Sequence, residues 1–237
     1  MRSTTNCPHC GKPLEQIVAE IGGKRIATGA YSPCDCPAAM RERKDEEAKR
    51  HAENEAKAMQ VLVAKSRIPK RYREATDPRA PQLASVVEQG GSLYLTGGVG
   101  AGKTHLACAV GMELLRRGKR VRFASMLGIL DEIKAGFRDE TDPLPAYKSA
   151  PVLILDDLGK GSQTDFALER LFALVDHRNA NMLPIIVTTQ YQPSELIARM
   201  ASSKGDKETA IAIVSRIRQD SEKVVLSSND RRQSWTA

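Results

Sequence analysis

The strongest chemical signal in the sequence is a glycine-rich loop that ends in a lysine and a threonine. It fits the pattern G-x-x-x-x-G-K-[ST], follows a strand-forming run and leads into a helical segment that begins at His105. Its residues are Gly97, Gly98, Val99, Gly100, Ala101, Gly102, Lys103 and Thr104. Glycines let backbone N–H groups converge on phosphate oxygens, Lys103 reaches the β and γ phosphates, and Thr104 offers a hydroxyl to Mg²⁺. The loop, with His105 at its edge, therefore predicts a site for ATP and Mg²⁺.

An apolar run that turns abruptly acidic supplies the second half of such a site. Residues 152–155 read as a buried strand, and Asp156 and Asp157 follow directly. Asp156 is predicted to hold the magnesium ion through its water shell, and Asp157 to orient and activate the attacking water. The alternative is that Asp157 caps the next turn, a common role of aspartate. Because Asp157 is one methylene shorter than glutamate, we expect hydrolysis that is slow or depends on a partner.

Five short strand-like runs alternate with helical segments after residue 92. They comprise residues 93–96, 121–124, 152–155, 185–188 and 224–226. This alternation predicts an α/β fold in which a parallel sheet is flanked by helices on both faces. We assign residues 68–237 to this P-loop ATPase domain.

Four cysteines lie within the first 36 residues and fall into two close pairs. Cys7 and Cys10 form a C-x₂-C pair, and Cys34 and Cys36 form a C-x-C pair. Each spacing lets two thiolates bind one ion, so the four predict a tetrahedral zinc site, with His9 as a substitute ligand. A short segment with few large apolar residues needs a bound metal or a similar cross-link to fold. Residues 1–36 are therefore predicted to be a zinc-binding module.

Two further elements are predicted around these cysteines. Residues 16–21 and 24–30 read as two strands joined at Gly22-Gly23, which would bring the cysteine pairs together. Residues 37–67 begin with proline, contain no glycine and are dense in Ala, Glu, Lys and Arg, which predicts a charged linker helix. Its narrow apolar stripe fits either a partner-docking arm or a solvated spacer.

Charge and composition indicate which partners and which cell compartment suit the chain. Thirty-six Lys and Arg against 29 Asp and Glu give a net charge of +7, which favours contact with nucleic acid or serves solubility alone. No apolar run approaches the ~18–20 residues of a membrane span, and the first residues lack the apolar core of a secretory signal. We therefore expect a cytoplasmic protein without membrane contact, with reduced thiols, in which Cys108 is a packed helix residue.

Four motifs occur in a specific order between about residues 68 and 232. They are the GGVGAGKTHLA loop, the VLILDDLG strand end, the IIVTTQY strand and the closing SRIRQDSEKVVLSSNDRR segment. With these motifs the chain resembles the AAA+ helicase loaders of the DnaC/DnaI type and their IstB relatives. The resemblance implies an AAA+ fold, ATP hydrolysis, and assembly of ATP-bound subunits into a homo-oligomer.

The resemblance also implies roles for residues that lie outside the P-loop. Gln190 lies where the family places its sensor 1 group, usually asparagine, which reads the γ-phosphate. Arg216 matches the arginine finger, which stabilises transition-state charge on a neighbouring subunit's nucleotide. Arg232 lies where the family often has a sensor 2 arginine that contacts the nucleotide, with Arg231 as a competitor. For the tail arginines the alternative is a solvated helix or strand end.

Loaders of this kind hold single-stranded DNA with basic and aromatic residues. The resemblance places Lys134 and Phe137 on one such segment, and Thr164 and Phe166 on another. A lysine meets phosphates, and a phenylalanine offers a stacking face to any base. The alternative is that Phe137 and Phe166 are core side chains.

Three functions compete on this basis. The first is an ATP-dependent loader that delivers a hexameric DnaB-type replicative helicase onto single-stranded DNA, with the cysteine module contacting the helicase. The second is an IstB-like ATPase that assists DNA transposition. The third is an ATP-binding switch without appreciable turnover, which Asp157 and Gln190 leave open.

Overall fold

The computed structural model describes residues 5–161, 164–201 and 207–227, and its contacts divide the chain into two compact units, Met1–Ala58 and Met59–Ala237. Two predicted site residues, Arg231 and Arg232, lie outside the described residues. Within those residues, the structure contains no helix whose length and apolar character would let it cross a membrane.

The larger unit is built on a five-stranded parallel sheet. Its strands, in chain order, are β3 (Ser92–Gly97), β4 (Val121–Ser125), β5 (Val152–Leu158), β6 (Ile185–Thr189) and β7 (Ser221–Leu226). They pair in the order β4-β5-β6-β3-β7, and every neighbouring pair is parallel. All five strand runs in the sequence are confirmed. The inner strands β3, β5 and β6 are buried along nearly their whole length, as expected for β-branched and leucine-rich segments of a parallel sheet, whereas the edge strands β4 and β7 are partly exposed.

Helices cover both faces of the sheet. They are α2 (Ala80–Glu88), α3 (Lys103–Arg116), α4 (Met126–Asp139), α5 (Leu144–Lys148), α6 (Asp165–Ala180), α7 (Pro193–Met200) and α8 (Lys207–Gln219). Alternate residues of β5 point to opposite sides: Ile154 packs with α2 and α3, while Leu153 and Leu155 pack with the helices on the other face. The predicted α/β architecture is therefore confirmed. Cys108 of α3 is buried as expected, and burial raises the pKa of its thiol.

One buried arginine binds the segments that lead into β5 and β6. It has no acidic partner among its described contacts. Arg178 of α6 is 1% exposed. Its Nη1 donates to the carbonyl oxygens of Tyr147 (2.9 Å), Lys148 (3.2 Å) and Ala150 (2.8 Å), and its Nη2 to that of Pro184 (2.5 Å). Burial lowers the pKa of Arg178 to about 10. The four carbonyls compensate the buried charge, and the loops that lead into β5 and β6 are held by one side chain.

The smaller unit contains an antiparallel hairpin and most of a long helix. Strands β1 (Gln16–Ile21) and β2 (Lys24–Tyr31) pair across the turn at Gly22-Gly23, as the sequence predicts. Helix α1 (Pro37–Ser66) begins at the proline that opens the predicted linker and continues past the boundary between the two units. The hairpin strands are largely exposed, so this unit has little apolar core of its own.

Candidate active site

The glycine-rich loop joins the carboxyl end of β3 to the first turn of α3. Gly102, at the helix N-terminus, has a φ of 89°, a left-handed conformation in which a side chain would be strained. Lys103 is 7% exposed, and its Nζ donates to the carbonyl oxygens of Gly97 (2.9 Å) and Gly98 (2.8 Å). The lysine that the sequence assigns to phosphates therefore lies against its own loop. These carbonyls are neutral acceptors, and a phosphate oxygen would form a stronger, charge-assisted bond with the same Nζ.

The two predicted magnesium ligands contact each other. Thr104 Oγ1 donates to Asp156 Oδ1 at 2.9 Å, and Thr188 Oγ1 of β6 donates to the same oxygen at 2.7 Å. Burial raises the pKa of Asp156, while the hydroxyl donors of Thr188 and Thr104 oppose the shift because they favour the carboxylate. Mg²⁺ prefers hard oxygen ligands, so a hydroxyl and a buried carboxylate in contact fit this ion.

A β-bulge sets the direction of the second acidic residue. Strands β5 and β6 pair regularly as far as Leu155, and pairing resumes at Leu158 one residue out of step. The bulge falls on Asp156 and Asp157, and Asp157 has a φ of 55°. Its N–H donates to Thr188 Oγ1 at 2.9 Å. The extra residue thus turns Asp157 away from the regular ladder, and its Oδ2 lies 2.9 Å from Lys160 Nζ.

A cavity of about 340 Å³ lies beside these groups, at the carboxyl end of the strands. Most of the loop from residue 99 to residue 105 lines it, together with Asp157 and Gln190, whereas Ala101 and Asp156 are buried and do not line it. The structure therefore brings Gln190, the predicted γ-phosphate sensor, into the same cavity as Lys103 and Thr104.

Sequence reasoning missed three further residues that line this cavity: Arg71, Tyr72 and Lys160. The ring of Tyr72 meets His105 edge-on at a centroid distance of 6.3 Å, and the guanidinium of Arg71 lies 5.8 Å from the Tyr72 ring. Flat groups beside a phosphate loop can stack against a base. The basic run around Arg71 was visible in the sequence, but its position beside the P-loop depends on how the chain enters the domain.

Arg216 lies in a different cavity, of about 420 Å³. That cavity is also lined by Ser92 and Ile185, the first residues of β3 and β6, so it lies at the amino end of the strands. Arg216 Nε donates to Asp176 Oδ1 at 2.8 Å, and its guanidinium lies 5.0 Å from the ring of Phe172. A strand as long as β3 spans roughly 15–20 Å. Arg216 lies at the amino end of the strands and the P-loop at their carboxyl end, so about one strand length separates Arg216 from the P-loop of its own chain.

The four N-terminal cysteines converge on one point. Their sulfur atoms all lie within 4.8 Å of one another, with Cys7 and Cys36 at 3.9 Å and Cys10 and Cys34 at 3.5 Å. A tetrahedral zinc site with bonds of ~2.3 Å has sulfurs about 3.8 Å apart, so this arrangement fits the ion. Among the described residues, all the cysteines are free thiols.

Hydrogen bonds affect two of these thiols in opposite directions. A backbone hydrogen bond from Cys36 lowers the pKa of Cys34, but hydrogen bonds with the neighbouring thiols and burial outweigh it and raise that pKa to about 11, whereas the pKa of Cys7 is lowered. Hydrogen bonds from the backbone of Cys10 and His9 lower the pKa of Cys7 to about 6. His9 itself points elsewhere, because its Nε2 lies 2.6 Å from Glu42 Oε2. Four thiols are sufficient for the predicted site, and His9 serves better as a partner of Glu42 than as a ligand.

The predicted DNA-contacting residues lie on α4 and at the start of α6. Phe137 is 66% exposed, and its ring centroid lies 6.1 Å from that of the half-buried Phe166. Lys134 is exposed on α4. Thr164 caps α6 by accepting the N–H of Ala167 at 3.2 Å. The structure therefore brings the two phenylalanines together, with one ring open to solvent and the other packed against the core.

Curated relatives of this chain include a helicase loader and an insertion-sequence protein. The chain is 32% identical over 124 residues to the replicative helicase loader DnaI of Bacillus subtilis, a stretch that covers 51% of this chain and 40% of DnaI. It is 34% identical over 110 residues to a Mycobacterium tuberculosis insertion-sequence protein whose name calls it ATP-binding, covering 46% of this chain and 44% of that protein. The matches span less than half the length of these relatives.

Solved structures of helicase loaders resemble the fold over most of their length. A crystal structure of DnaI matches with a TM-score of 0.59 and 26% identity, covering 67% of this chain and 94% of that one. A crystal structure of the DnaC helicase loader matches with a TM-score of 0.55 and 25% identity, covering 67% and 99%. The expected resemblance to DnaC and DnaI is confirmed in sequence and structure.

The profile of the family described as IstB-like ATP binding protein matches residues 41–236. This span contains the P-loop, the acidic strand end and the arginine at residue 216, and it covers most of the chain. The protein belongs to the IstB-like ATP-binding protein family, with the AAA+ fold of the DnaI and DnaC helicase loaders.

Proposed function

We propose that this protein is an ATPase that loads a hexameric DnaB-type replicative helicase onto single-stranded DNA. The observation that carries the proposal is the cavity where Lys103, Thr104, Asp157 and Gln190 meet, on a fold that covers nearly the whole of two solved helicase-loader chains. Phosphoryl transfer requires positioned charges rather than covalent chemistry, and this cavity supplies charges of both signs.

Binding of ATP begins with a change of partners at Lys103. Its Nζ leaves the carbonyl oxygens of Gly97 and Gly98 for the β and γ phosphates, since charged acceptors form stronger hydrogen bonds. Thr104, through its hydroxyl, and Asp156, through water, would hold Mg²⁺, and the ion would supply positive charge against the phosphates.

Two residues act on the terminal phosphate and the water beside it. Asp157, turned out of the ladder by the bulge, orients and activates the attacking water. Gln190 contacts the γ-phosphate from the end of β6. Tyr72 and Arg71 lie against the base.

Arg216 acts on the nucleotide of a neighbouring subunit, so hydrolysis requires a homo-oligomer. Its cavity lies at the amino end of the strands, opposite the P-loop, which supports action between subunits rather than within one. In the single chain Arg216 is paired with Asp176, and assembly replaces that pair by contact with phosphate.

The remaining parts of the chain contact the partners. Phe137 and Phe166 stack against bases of single-stranded DNA, and Lys134 meets its phosphates. Residues 1–36 form a zinc-binding module that docks on the helicase, residues 37–67 form the linker helix, and residues 68–237 form the ATPase domain.

Two observations favour a second function: the matching family profile is that of IstB-like proteins, and one relative lies in an insertion sequence. In that role the same ATPase would act on duplex target DNA beside a transposase. Preference for duplex over single-stranded DNA, with no binding to a replicative helicase, would decide for this function.

The deciding experiment measures ATP hydrolysis alone, with single-stranded DNA, with the host helicase, and with both. We expect slow basal hydrolysis that the partners stimulate, and Asp157→Asn should abolish it while leaving ATP binding intact. Background hydrolysis in every mixture, with ATP still bound, would leave a nucleotide switch. A helicase pull-down unaffected by removal of residues 1–66 would refute the docking role of the cysteine module.

A further inference from the structure

The loop after β5 carries a lysine to which the mechanism above assigns no role. Lys160 Nζ lies 2.9 Å from Asp157 Oδ2 and lines the same cavity as Lys103 and Thr104. The cavity is therefore lined by a second lysine besides Lys103, and its ammonium group lies next to the acid proposed to act on the attacking water.

Packing of the loop backbone determines where this lysine lies. Gly159 and Gly161, on either side of it, both have a φ of 86°. A Cβ at Gly159 would lie 2.6 Å from Leu196 Cδ1, and one at Gly161 would lie 2.9 Å from Leu127 Cδ2. The flanking glycines are thus pressed against neighbouring helices in a conformation that other residues rarely adopt. The turn closes with the N–H of Lys160 donating to the carbonyl oxygen of Asp157 at 3.2 Å.

The ion pair itself is easily exchanged. The side chain of Lys160 is 60% exposed and that of Asp157 is 31% exposed, so water screens their attraction. A triphosphate brings more negative charge into the cavity than one carboxylate, and three terminal oxygens can accept hydrogen bonds. Since Asp157 is proposed to hold the attacking water beside the terminal phosphate, an ammonium group paired with it would lie closer to that phosphate than to the α-phosphate.

We propose that Lys160 is a second phosphate-binding lysine, whose Nζ leaves Asp157 for the γ-phosphate when ATP enters. The proposal rests on the proposed ATPase function and adds to it a residue that distinguishes a nucleoside triphosphate from a diphosphate. The same exchange frees Asp157 Oδ2 to accept a hydrogen bond from water. In the nucleotide-free chain Lys160 therefore occupies the carboxylate oxygen that hydrolysis requires.

The test is the affinity for a non-hydrolysable ATP analogue and for ADP, each with Mg²⁺, measured by titration calorimetry on the full chain. Lys160→Gln should weaken binding of the analogue about tenfold, as expected for one lost charge-assisted bond, and change ADP affinity less than twofold. Lys160→Arg should retain the preference for the triphosphate, since it keeps the cation. Lys119→Gln, the same charge change at an exposed residue that does not line the cavity, is the control and should match the parent.

The outcomes separate this inference from the function on which it rests. If the parent binds both nucleotides and Lys160→Gln weakens both equally, the residue only supports the loop and the inference is wrong. Unchanged affinities for both nucleotides, or an arginine variant as weak as the glutamine one, would overturn it as well. If the parent binds neither nucleotide, the proposed ATPase function fails first, and the role of Lys160 fails with it.

Discussion

The hydroxyl of Thr188 and the carboxylate of Asp156 are joined by a 2.7 Å hydrogen bond between neighbouring strands, and both residues are buried. The same hydroxyl accepts the N–H of Asp157 at 2.9 Å. One side chain on β6 therefore positions both acidic residues at the end of β5, and it does so across the bulge that separates them from the regular ladder.

Replacing Thr188 by valine should lower the free energy of unfolding and weaken magnesium-dependent nucleotide binding. The variant keeps the shape of the side chain but leaves a buried carboxylate oxygen and an N–H short of a partner, which costs about 1–3 kcal/mol. Thr189→Val is the matched control, because its buried hydroxyl donates to the carbonyl oxygen of Leu158 at 2.8 Å. Urea unfolding and ATP titrations with and without Mg²⁺ measure the two effects. Equal loss of magnesium dependence in both variants would contradict the role of Thr188.

Asp156→Asn should stabilise the nucleotide-free protein at neutral pH. Burial raises the pKa of Asp156 above its ordinary value of 3.8, so the folded state binds this proton more tightly than the unfolded chain. The stability that the group contributes is complete below about pH 4 and is lost as the pH rises through the raised pKa. Asparagine resembles the protonated form, so the gain in unfolding free energy should be near zero at pH 4 and grow toward pH 8.

Two measurements accompany this comparison. Asp131→Asn, the same change at an exposed position on α4, is the control. Addition of Mg²⁺ and a non-hydrolysable ATP analogue should stabilise the parent more than Asp156→Asn, because the cation compensates the negative charge of the buried carboxylate. If Asp156→Asn had a lower free energy of unfolding than the parent throughout this pH range, burial of the carboxylate would not destabilise the folded protein, and the prediction would be wrong.

Phe137 and Phe166 should differ in their roles. Phe137 should contribute to DNA binding alone, and Phe166 to both DNA binding and stability. Phe137→Ala should weaken single-stranded DNA binding by ~1–3 kcal/mol, with little change in stability since the ring is 66% exposed. Phe166→Ala should weaken binding and also destabilise the domain, because its ring packs against the core. Fluorescence anisotropy and thermal unfolding measure these effects. Val225→Ala, at an exposed apolar residue on β7, should change neither, and unchanged DNA affinity in Phe137→Ala would remove that residue from the interface.

Zinc removal should disorder the smaller unit and leave the P-loop unit able to bind ATP. The unit Met1–Ala58 has little apolar core, so metal binding supplies much of its folding free energy. Elemental analysis should give one zinc per chain, and either a chelator or Cys10→Ser should expose residues 5–58 to proteolysis. Cys108→Ala, at the fifth cysteine, should retain the metal. A metal-free protein with a protease-resistant N-terminal unit would refute the zinc prediction.

Arg216 should be dispensable for ATP binding and required for hydrolysis between subunits. Arg216→Ala should lower stimulated hydrolysis by about a thousandfold or more, as for other arginine fingers, whereas Arg218→Ala on the same helix should have little effect. Mixing Arg216→Ala with Lys103→Ala subunits tests the direction of action. Recovery of activity in the mixture would place an intact arginine next to an intact P-loop in another chain, and its absence would count against action between subunits.

Local sequence was sufficient for the fold class and for the parts of the site that lie close together in the chain. The P-loop pattern places Lys103 and Thr104 at a helix N-terminus, since glycine conformations and the strand and helix around it are short-range properties. Mostly apolar runs of three or four residues predicted each strand of the sheet, because a strand buried on both faces, as β3, β5 and β6 are, carries few polar side chains. The cysteine pairs were similarly visible from their spacing.

Tertiary structure decided which distant residues share a site. Thr188 reaches Asp156 because β6 pairs with β5, and Lys160 faces Asp157 because a bulge and two left-handed glycines turn the chain back. Arg178 looks like an ordinary surface arginine in the sequence, yet four carbonyl groups surround it, from the end of α5 and from the loops before β5 and β6. Strand order, register and loop packing depend on contacts between residues tens of positions apart, and no local pattern in the sequence encodes those contacts.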